Sequence, residues 1–295
     1  MKILILGGNG MLGHKLVQTF EKSFEAWTTV RSTYDKVSAF EIFGKDRTIE
    51  RVDASDFASV AGAIKLAKPD VVVNSIGIVK QKAASKNIEE MLSVNSIFPH
   101  KLALLGKQNG FRLITISTDC VFSGSKGNYS ENDVADALDL YGQSKRWGEI
   151  DEPNCLTIRT SIIGRELLTN HGLVEWMISQ KGKSVNGYAK AIFSGFPTTC
   201  FADIIVDIVE NHQSLSGVYH VSSEPISKFE LLNIINDTFK LGVEVKPFSD
   251  FEIDRSLDST GFRNATGFSS QSWSKMIEKM AADTTPYDKW KNNKR

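Results

Sequence analysis

Cysteine is scarce in this chain: Cys120, Cys155 and Cys200 lie far apart, with no CxxC spacing. That argues against a disulfide framework and against a thiolate zinc site. No apolar run reaches the roughly 18 residues that a membrane helix needs. Neither sign of charge is in surplus, because Lys+Arg is 35 and Asp+Glu is 35. A general electrostatic hold on nucleic acid or on an acidic membrane is therefore not expected. His14, His100, His171, His212 and His220 show no ligand spacing, so no metal site is expected and each reads as structural or solvated. Internal repeats and low-complexity segments are missing too. The opening MKILILGG has no small-residue cleavage signal and reads as a strand, not a secretion signal. A cytoplasmic protein is the expectation.

What is present is ordinary for a globular chain. The 295 residues are 41% hydrophobic and 24% charged, enough for one large domain or two modest ones. The first half alternates apolar runs with helical patterns. Strands are expected at Lys2–Leu6, Ala26–Val30, Asp70–Ser75, Arg112–Ser117 and Leu156–Arg159. Between them, helices are expected at Gly13–Lys22, Asp56–Leu66, Asn87–Asn109 and Ala137–Ile150; Leu12, Leu16, Val17 and Phe20 form one stripe of the first. Strands separated by helices of this length imply βαβ units, hence an α/β Rossmann-type doubly wound parallel sheet. After about residue 160 the rhythm breaks, and Gly, Pro and aromatic residues thicken through Gly187–Phe201. The expected division is a dinucleotide-binding domain over 1–160 and a smaller substrate-binding lobe over 161–295. A strand near Gly217–Ser222 is expected to return to the first domain. The polar end, Asp283–Arg295, is expected to fray.

Gly7, Gly10 and Gly13 follow the first strand with GxxGxxG spacing and open the first helix. A tight turn there needs residues without Cβ, a phosphate must approach bare backbone, and the helix N-terminus offers free N–H groups to a pyrophosphate. The backbone around Gly7, Asn9, Gly10, Met11, Leu12 and Gly13 is thus the candidate cofactor cradle. The second strand ends in Val30-Arg31-Ser32. A carboxylate at that point suits the ribose hydroxyls of NAD, whereas Arg31 with Ser32 suits a 2′-phosphate, so NADPH is favoured over NADH. Val52-Asp53 is expected to end the third strand, with Asp53 and Ala54 near the adenine. Ser75, Ile76 and Gly77 end the fourth and should line the cofactor with backbone.

Tyr141 and Lys145 stand four apart in YGQSK, on one face of a helix. A tyrosine holds its proton too tightly for efficient acid–base work near neutrality, and a neighbouring ammonium stabilises the phenolate. The same ammonium can hold a nicotinamide ribose. Ser117-Thr118-Asp119 closes a strand at its carboxyl end, where open α/β sheets bind ligands, and the Thr118 hydroxyl can donate to a substrate carbonyl oxygen.

Together GGNGMLG, DVVVNS, ISTDCVFSG, YGQSKRWGE and IRTS resemble the extended short-chain dehydrogenase/reductase family, and within it the dTDP-4-dehydrorhamnose reductase group of sugar-nucleotide reductases. The resemblance covers nearly the whole chain, most closely to about residue 164. It implies a catalytic set of Thr118, Tyr141 and Lys145, with Asp119 beside the substrate. It also implies that Phe193, opening FSGFPT, and Asn170 face the nucleotide sugar. Arg255 and Arg263 fall where the group's C-terminal lobe nears the nucleotide diphosphate; structural ion pairing is the competing role. Two departures, Cys120 for the group's tyrosine and Ile162 for its tryptophan, bear on the sugar pocket and leave the hexose open.

The implied activity is NADPH-dependent reduction of the C4 keto group of a nucleotide-activated 4-keto-6-deoxyhexose. The alternatives are a sugar-nucleotide epimerase or dehydratase of the same superfamily, and a non-catalytic NADP-binding regulatory subunit. The expected partner is a nucleotide sugar, with no nucleic acid and no membrane, and a homodimer stays open. Cys120 reads as a small buried hydrophobe, and Trp147, Trp176 and Trp273 as packing residues. Lys80, Lys82 and Lys86 read as a solvated face.

Overall fold

The computed structural model describes residues 1–79 and 87–292. The first half runs β1 (Lys2–Leu6), α1 (Gly13–Phe20), β2 (Glu25–Thr29), β3 (Thr48–Ile49), α2 (Phe57–Ala67), β4 (Val71–Asn74), α3 (Ile88–Leu92), α4 (Phe98–Asn109), β5 (Arg112–Ile116), α5 (Leu140–Trp147) and β6 (Cys155–Arg159). The second half adds β7 (Ile162–Ile163), α6 (Leu173–Ser179), β8 (Ser184–Phe193), β9 (Phe196–Pro197), α7 (Thr198–Asn211), β10 (Gly217–His220), β11 (Ile226–Ser227) and α8 (Lys228–Phe239). β12 (Glu244–Asp254), α9 (Thr260–Thr266), α10 (Trp273–Ala281) and α11 (Tyr287–Asn292) complete the chain.

Seven strands form one sheet in the order β10-β6-β5-β4-β1-β2-β3, and every pairing in it is parallel. This is the doubly wound sheet expected from the alternation of elements. Its direction of winding reverses between β1 and β4, so a crevice opens at their carboxyl ends. Both faces are covered. Ile3 and Ile5 join one apolar core with α1 and α7, while Leu4 and Leu6 join the other with α2 and α4. Double coverage is why KILIL is apolar throughout and does not alternate. The second half builds a small sheet of its own, β11-β8-β12, in which β8 and β12 run parallel and β11 antiparallel. β10 returns to the edge of the large sheet against β6.

Several expectations need correction. The third strand is only Thr48–Ile49, and Asp53 lies in a loop after it. Val52 is held there by donating its N–H to the Val30 carbonyl at 3.1 Å. The helix expected over Asn87–Asn109 is interrupted by a π turn at Ser93–Ile97 that turns Asn95 inward. Through Asn292 the C-terminal segment does not fray. Tyr287 and Trp290 are 2% and 5% exposed, and α11 packs Trp290 against Phe40 with ring centroids 5.2 Å apart. Burying two large aromatic rings outweighs the polar composition that suggested a free tail. Trp273 is buried as expected, but Trp147 and Trp176 are exposed at the surface. Lys80, Lys82 and Lys86 lie outside the described residues. Among those residues no helix is long and apolar enough to cross a membrane.

Candidate active site

The glycine loop is shaped by close approach. Gly7 has φ +82°, and a Cβ on Gly13 would lie 2.1 Å from the Gly7 carbonyl oxygen, so α1 can start where it does only without that carbon. Gly8, not singled out in the sequence, is as constrained: its Cβ would meet Thr28 Oγ1 at 1.9 Å. Among the described residues no backbone acceptor takes the N–H groups of Met11 or Leu12 at the start of α1. Bare backbone and free donors at the first β–α junction fit a dinucleotide pyrophosphate.

The loop is also braced from beneath. His14 is fully buried; its Nδ1 donates to the Gly10 carbonyl at 2.8 Å, and its Nε2 takes the Tyr287 hydroxyl at 2.7 Å. Burial lowers its pKa from 6.5 to about 3, so the ring is neutral. Lys15 pairs with Asp283 beside it. The C-terminal segment therefore holds the floor of the glycine loop, which no local pattern indicated.

Around the rest of the crevice, Arg31 is exposed and the Ser32 hydroxyl donates to the Thr33 carbonyl at 3.1 Å. Burial pushes the Asp53 carboxyl up, but two hydrogen bonds from Ser55 and the charge of Arg31 outweigh it and hold the group below its ordinary value. Ala54 is buried beside it. Ser75 Oγ donates to the Leu6 carbonyl at 2.6 Å, and Ile76 N–H donates to Asn74 Oδ1 at 3.1 Å. A Cβ on Gly77 would stand 3.9 Å from Lys145 Nζ, so the end of β4 and the YxxxK lysine share one wall. Asn95, absent from the sequence candidates, ties the two together: it bonds both N–H and carbonyl of Ile78 and donates to Ser144 Oγ at 3.2 Å.

Thr118, Tyr141 and Lys145 converge at the carboxyl end of β5. Asp139 caps α5 by accepting from Gly142 N–H at 3.1 Å. A Cβ on Gly142 would lie 2.2 Å from the Cys120 carbonyl oxygen. The glycine between the tyrosine and the lysine thus lets α5 lie flat on the 119–121 turn. Tyr141 is hydrogen-bonded to Thr118, whose hydroxyl donates to Asp119 Oδ1 at 3.1 Å and accepts from Cys120 N–H. Lys145 Nζ donates to the Ile116 carbonyl at 2.7 Å. Burial lowers the Lys145 pKa from 10.5 to about 8, against the charge of Glu149. Burial, and then the neighbouring Cys120, pushes the Tyr141 phenol well above its ordinary value, with the Thr118 hydrogen bond opposing. An ammonium that depresses the phenol was expected. Here the desolvation of a phenolate is the larger effect, and the proton stays on the ring.

Further charges lie around the end of β5. Asp119 is buried, which raises its carboxyl pKa, while Lys228 and Arg255 pull it down. Arg255 donates to the carbonyls of Phe122 and Ser123 at 2.9 and 3.3 Å, and its Nη1 reaches Cys120 Sγ at 3.7 Å. Cys120 is therefore half-buried beside a cation and not a buried hydrophobe. Lys228, which no sequence motif marked, sits 3.9 Å over the Phe193 ring. Phe193 is buried, its own ring against Trp273 at 5.4 Å. Asn170 and His171 lie on an exposed loop, where Asn170 Oδ1 accepts from Lys291 at 2.9 Å. Arg263 pairs with Glu224 at 3.2 Å. Among the described residues no cluster of three His, Cys, Asp or Glu side chains could hold a metal ion.

Residues 1–285 match the family model described as RmlD substrate binding domain. The chain belongs to that family. The RmlD-type relatives include dTDP-4-dehydrorhamnose reductase from Aggregatibacter actinomycetemcomitans, 24% identical over 76% of this chain and 74% of its own length. Methionine adenosyltransferase 2 subunit beta from Danio rerio is 26% identical over 81% of this chain and 74% of its own. Among solved structures, dTDP-4-dehydrorhamnose reductase from Bacillus anthracis in complex with NADP superposes with a TM-score of 0.78 at 22% identity, over 95% of this chain and 98% of that one. RmlD membership and the Rossmann-type sheet agree with the resemblance carried by the sequence motifs.

Proposed function

We propose that this RmlD-family chain is an NADPH-dependent reductase of the C4 keto group of a nucleotide-activated 4-keto-6-deoxyhexose. The observation that carries this reading is the meeting of Thr118, Tyr141 and Lys145 at the end of β5, against the Gly77 wall of the dinucleotide crevice. The proposed division of labour gives 1–160, with β10, to the cofactor and 161–295 to the substrate.

In this reading the loop Gly7, Asn9, Gly10, Met11, Leu12 and Gly13 holds the pyrophosphate. Arg31 and Ser32 hold the 2′-phosphate, Asp53 and Ala54 the adenine, and Ser75, Ile76 and Gly77 line the nicotinamide half. The bound dinucleotide supplies the hydride. Thr118 donates its hydroxyl hydrogen to the keto oxygen, and Tyr141 transfers its proton to the oxygen as it becomes an alkoxide. The raised phenol pKa suits this direction: the ring arrives protonated, and an alkoxide is the stronger base. Lys145, at about 8, is mostly protonated at neutrality and holds the ribose while stabilising the phenolate left behind. Orientation and electrostatics are the protein's contribution. Asp119 borders the sugar, and Arg255 borders the diphosphate.

The test is NADPH oxidation, followed by absorbance, against a panel of 4-keto sugar nucleotides. Turnover of at least one supports the reading; binding of NADPH without turnover of any would favour a regulatory subunit, as the name of the Danio rerio relative suggests for that protein. Dinucleotide that co-purifies and is recycled would favour an epimerase or dehydratase.

A further inference from the structure

Tyr287 opens α11, 273 residues after His14, yet its hydroxyl donates to His14 Nε2 at 2.7 Å. The other ring nitrogen of His14 donates to the Gly10 carbonyl at 2.8 Å, which fixes the tautomer. His14 is thus a relay from α11 to a single peptide group. In a trans peptide the carbonyl and the N–H that follows it point opposite ways. Drawing the Gly10 carbonyl down onto the buried histidine therefore turns the Met11 N–H away from it. Among the described residues that N–H has no acceptor, so it is left for a ligand.

Tyr287 is itself held from several sides. The Arg165 guanidinium lies 4.8 Å from the centre of its ring, the Lys15 ammonium lies at 5.2 Å, and Asp283 Oδ2 stands 3.1 Å from its hydroxyl. Arg165 also bonds Glu175 at 2.7 Å and Asp288 at 2.6 Å, while Lys291 bonds Glu175 at 2.6 Å and Asn170 at 2.9 Å. These contacts tie α11 to the segment 165–175. That segment also flanks the glycine loop: a Cβ on Gly172 would lie 3.6 Å from Met11 Sδ. Met11 is therefore gripped twice, through His14 and beside residue 172, and both grips lead back to α11. Docking alone would be satisfied by a phenylalanine; a buried hydroxyl bonded to a neutral imidazole adds direction.

Resting on the dinucleotide half of the reading above, we propose that Tyr287 is a positioning residue for the cofactor: through His14 it presets the Gly10–Met11 peptide, whose N–H then meets the pyrophosphate. A preset donor spares the cost of ordering that peptide when the ligand arrives. Coupling between two sites is reciprocal, so bound dinucleotide in turn holds α11 docked. The far end of the chain thereby sets cofactor affinity from behind the loop.

The experiment measures NADPH binding by fluorescence on the full chain, for wild type, Tyr287→Phe, His14→Leu and the double variant, with melting temperatures alongside. Tyr287→Phe keeps the ring beside Arg165 and Lys15 and loses only the hydroxyl. Its dissociation constant should rise about 3- to 10-fold, the range of one hydrogen bond. In the His14→Leu background the same substitution should cost nothing further, because the relay is already broken. A lower melting temperature with unchanged NADPH affinity would assign the hydroxyl to stability alone and overturn the inference, as would additive losses. Hydrogen exchange on wild type needs no variant: the amides of residues 287–292 should exchange more slowly at saturating NADPH, and equal exchange refutes the coupling. Failure of wild type to bind either NADPH or NADH would bring down the dinucleotide reading itself, and this inference with it.

Discussion

Ser117 Oγ donates to Glu149 Oε1 at 2.7 Å, deep in the protein. This contact completes a series. Tyr141, Lys145 and Glu149, each four residues after the last, hold Thr118, Ile116 and Ser117, three consecutive residues at the end of β5. Arg159 clamps the last of them with Nε and Nη2, both at 2.8 Å from the Glu149 carboxylate, and Arg146 adds a third contact at 3.0 Å. Arg159 in turn meets His220 Nε2 at 3.1 Å. The Tyr141/Lys145 face of α5 is thus bolted to the strand by a buried ion pair behind it.

Glu149→Gln should therefore act twice. Removing one partner of a buried pair leaves Arg159 uncompensated, at a cost of about 3–5 kcal/mol, read as a lower urea midpoint. It also removes the carboxylate that supports the charge of Lys145, whose pKa should then fall below about 8. The alkaline limb of the kcat/KM profile should move to lower pH by a comparable amount. An unmoved limb would place Glu149 in a purely structural role.

Tyr141→Phe should keep NADPH binding, because the ring and its packing remain. It should lose about 10²- to 10⁴-fold in turnover, the range for a positioned proton donor. Stopped-flow absorbance at saturating NADPH separates the two quantities. Undiminished turnover would remove the phenol from the chemistry.

Arg31→Asp should shift preference towards NADH. Arg31 is exposed at the crevice rim and meets Asp53 only as a charge at a distance. The substitution exchanges a cation suited to a 2′-phosphate for a carboxylate that repels it and accepts from ribose hydroxyls. The measurement is the ratio of kcat/KM values for the two cofactors. An unchanged ratio would mean that the 2′-phosphate lies elsewhere.

His14 should make stability fall in acid. The unfolded chain takes up its proton near 6.5, while the buried ring resists it down to about 3. A depressed folded-state pKa contributes stability that is complete above 6.5 and drains as pH falls towards 3. At about 1.4 kcal/mol per pH unit this amounts to roughly 4–5 kcal/mol. His14→Gln should be less stable at pH 7, since Tyr287 and Gly10 lose their partner, but its stability should depend less on pH between 6.5 and 4. Denaturant melts of both proteins at several pH values check the difference in slope.

Local pattern revealed what local physics controls. The apolar runs of β1, β4, β5 and β6 were legible because a parallel sheet covered on both faces leaves no polar period to confuse them. The glycine trio was legible because a close turn tolerates nothing else at Gly13. The spacing of Tyr141 and Lys145 was legible because one helix carries both. The short third strand was missed: Val52 pairs with Val30 outside any regular ladder, which composition does not reveal. The docking of α11 was missed because its polar residues outnumber Tyr287 and Trp290, although those two rings decide where it packs.

The sequence by itself determined the βαβ order, the bare glycine turn and the placing of Tyr141 and Lys145 on one helix face, since each depends on neighbours a few positions away. Only the tertiary structure decided what surrounds them. Arg255 reaches back to the carbonyls of Phe122 and Ser123 across 133 and 132 residues, and His14 meets Tyr287 across 273. No periodicity encodes contacts of that range. They follow from how the later elements pack onto one sheet, and there burial, not local spacing, sets which protons are held.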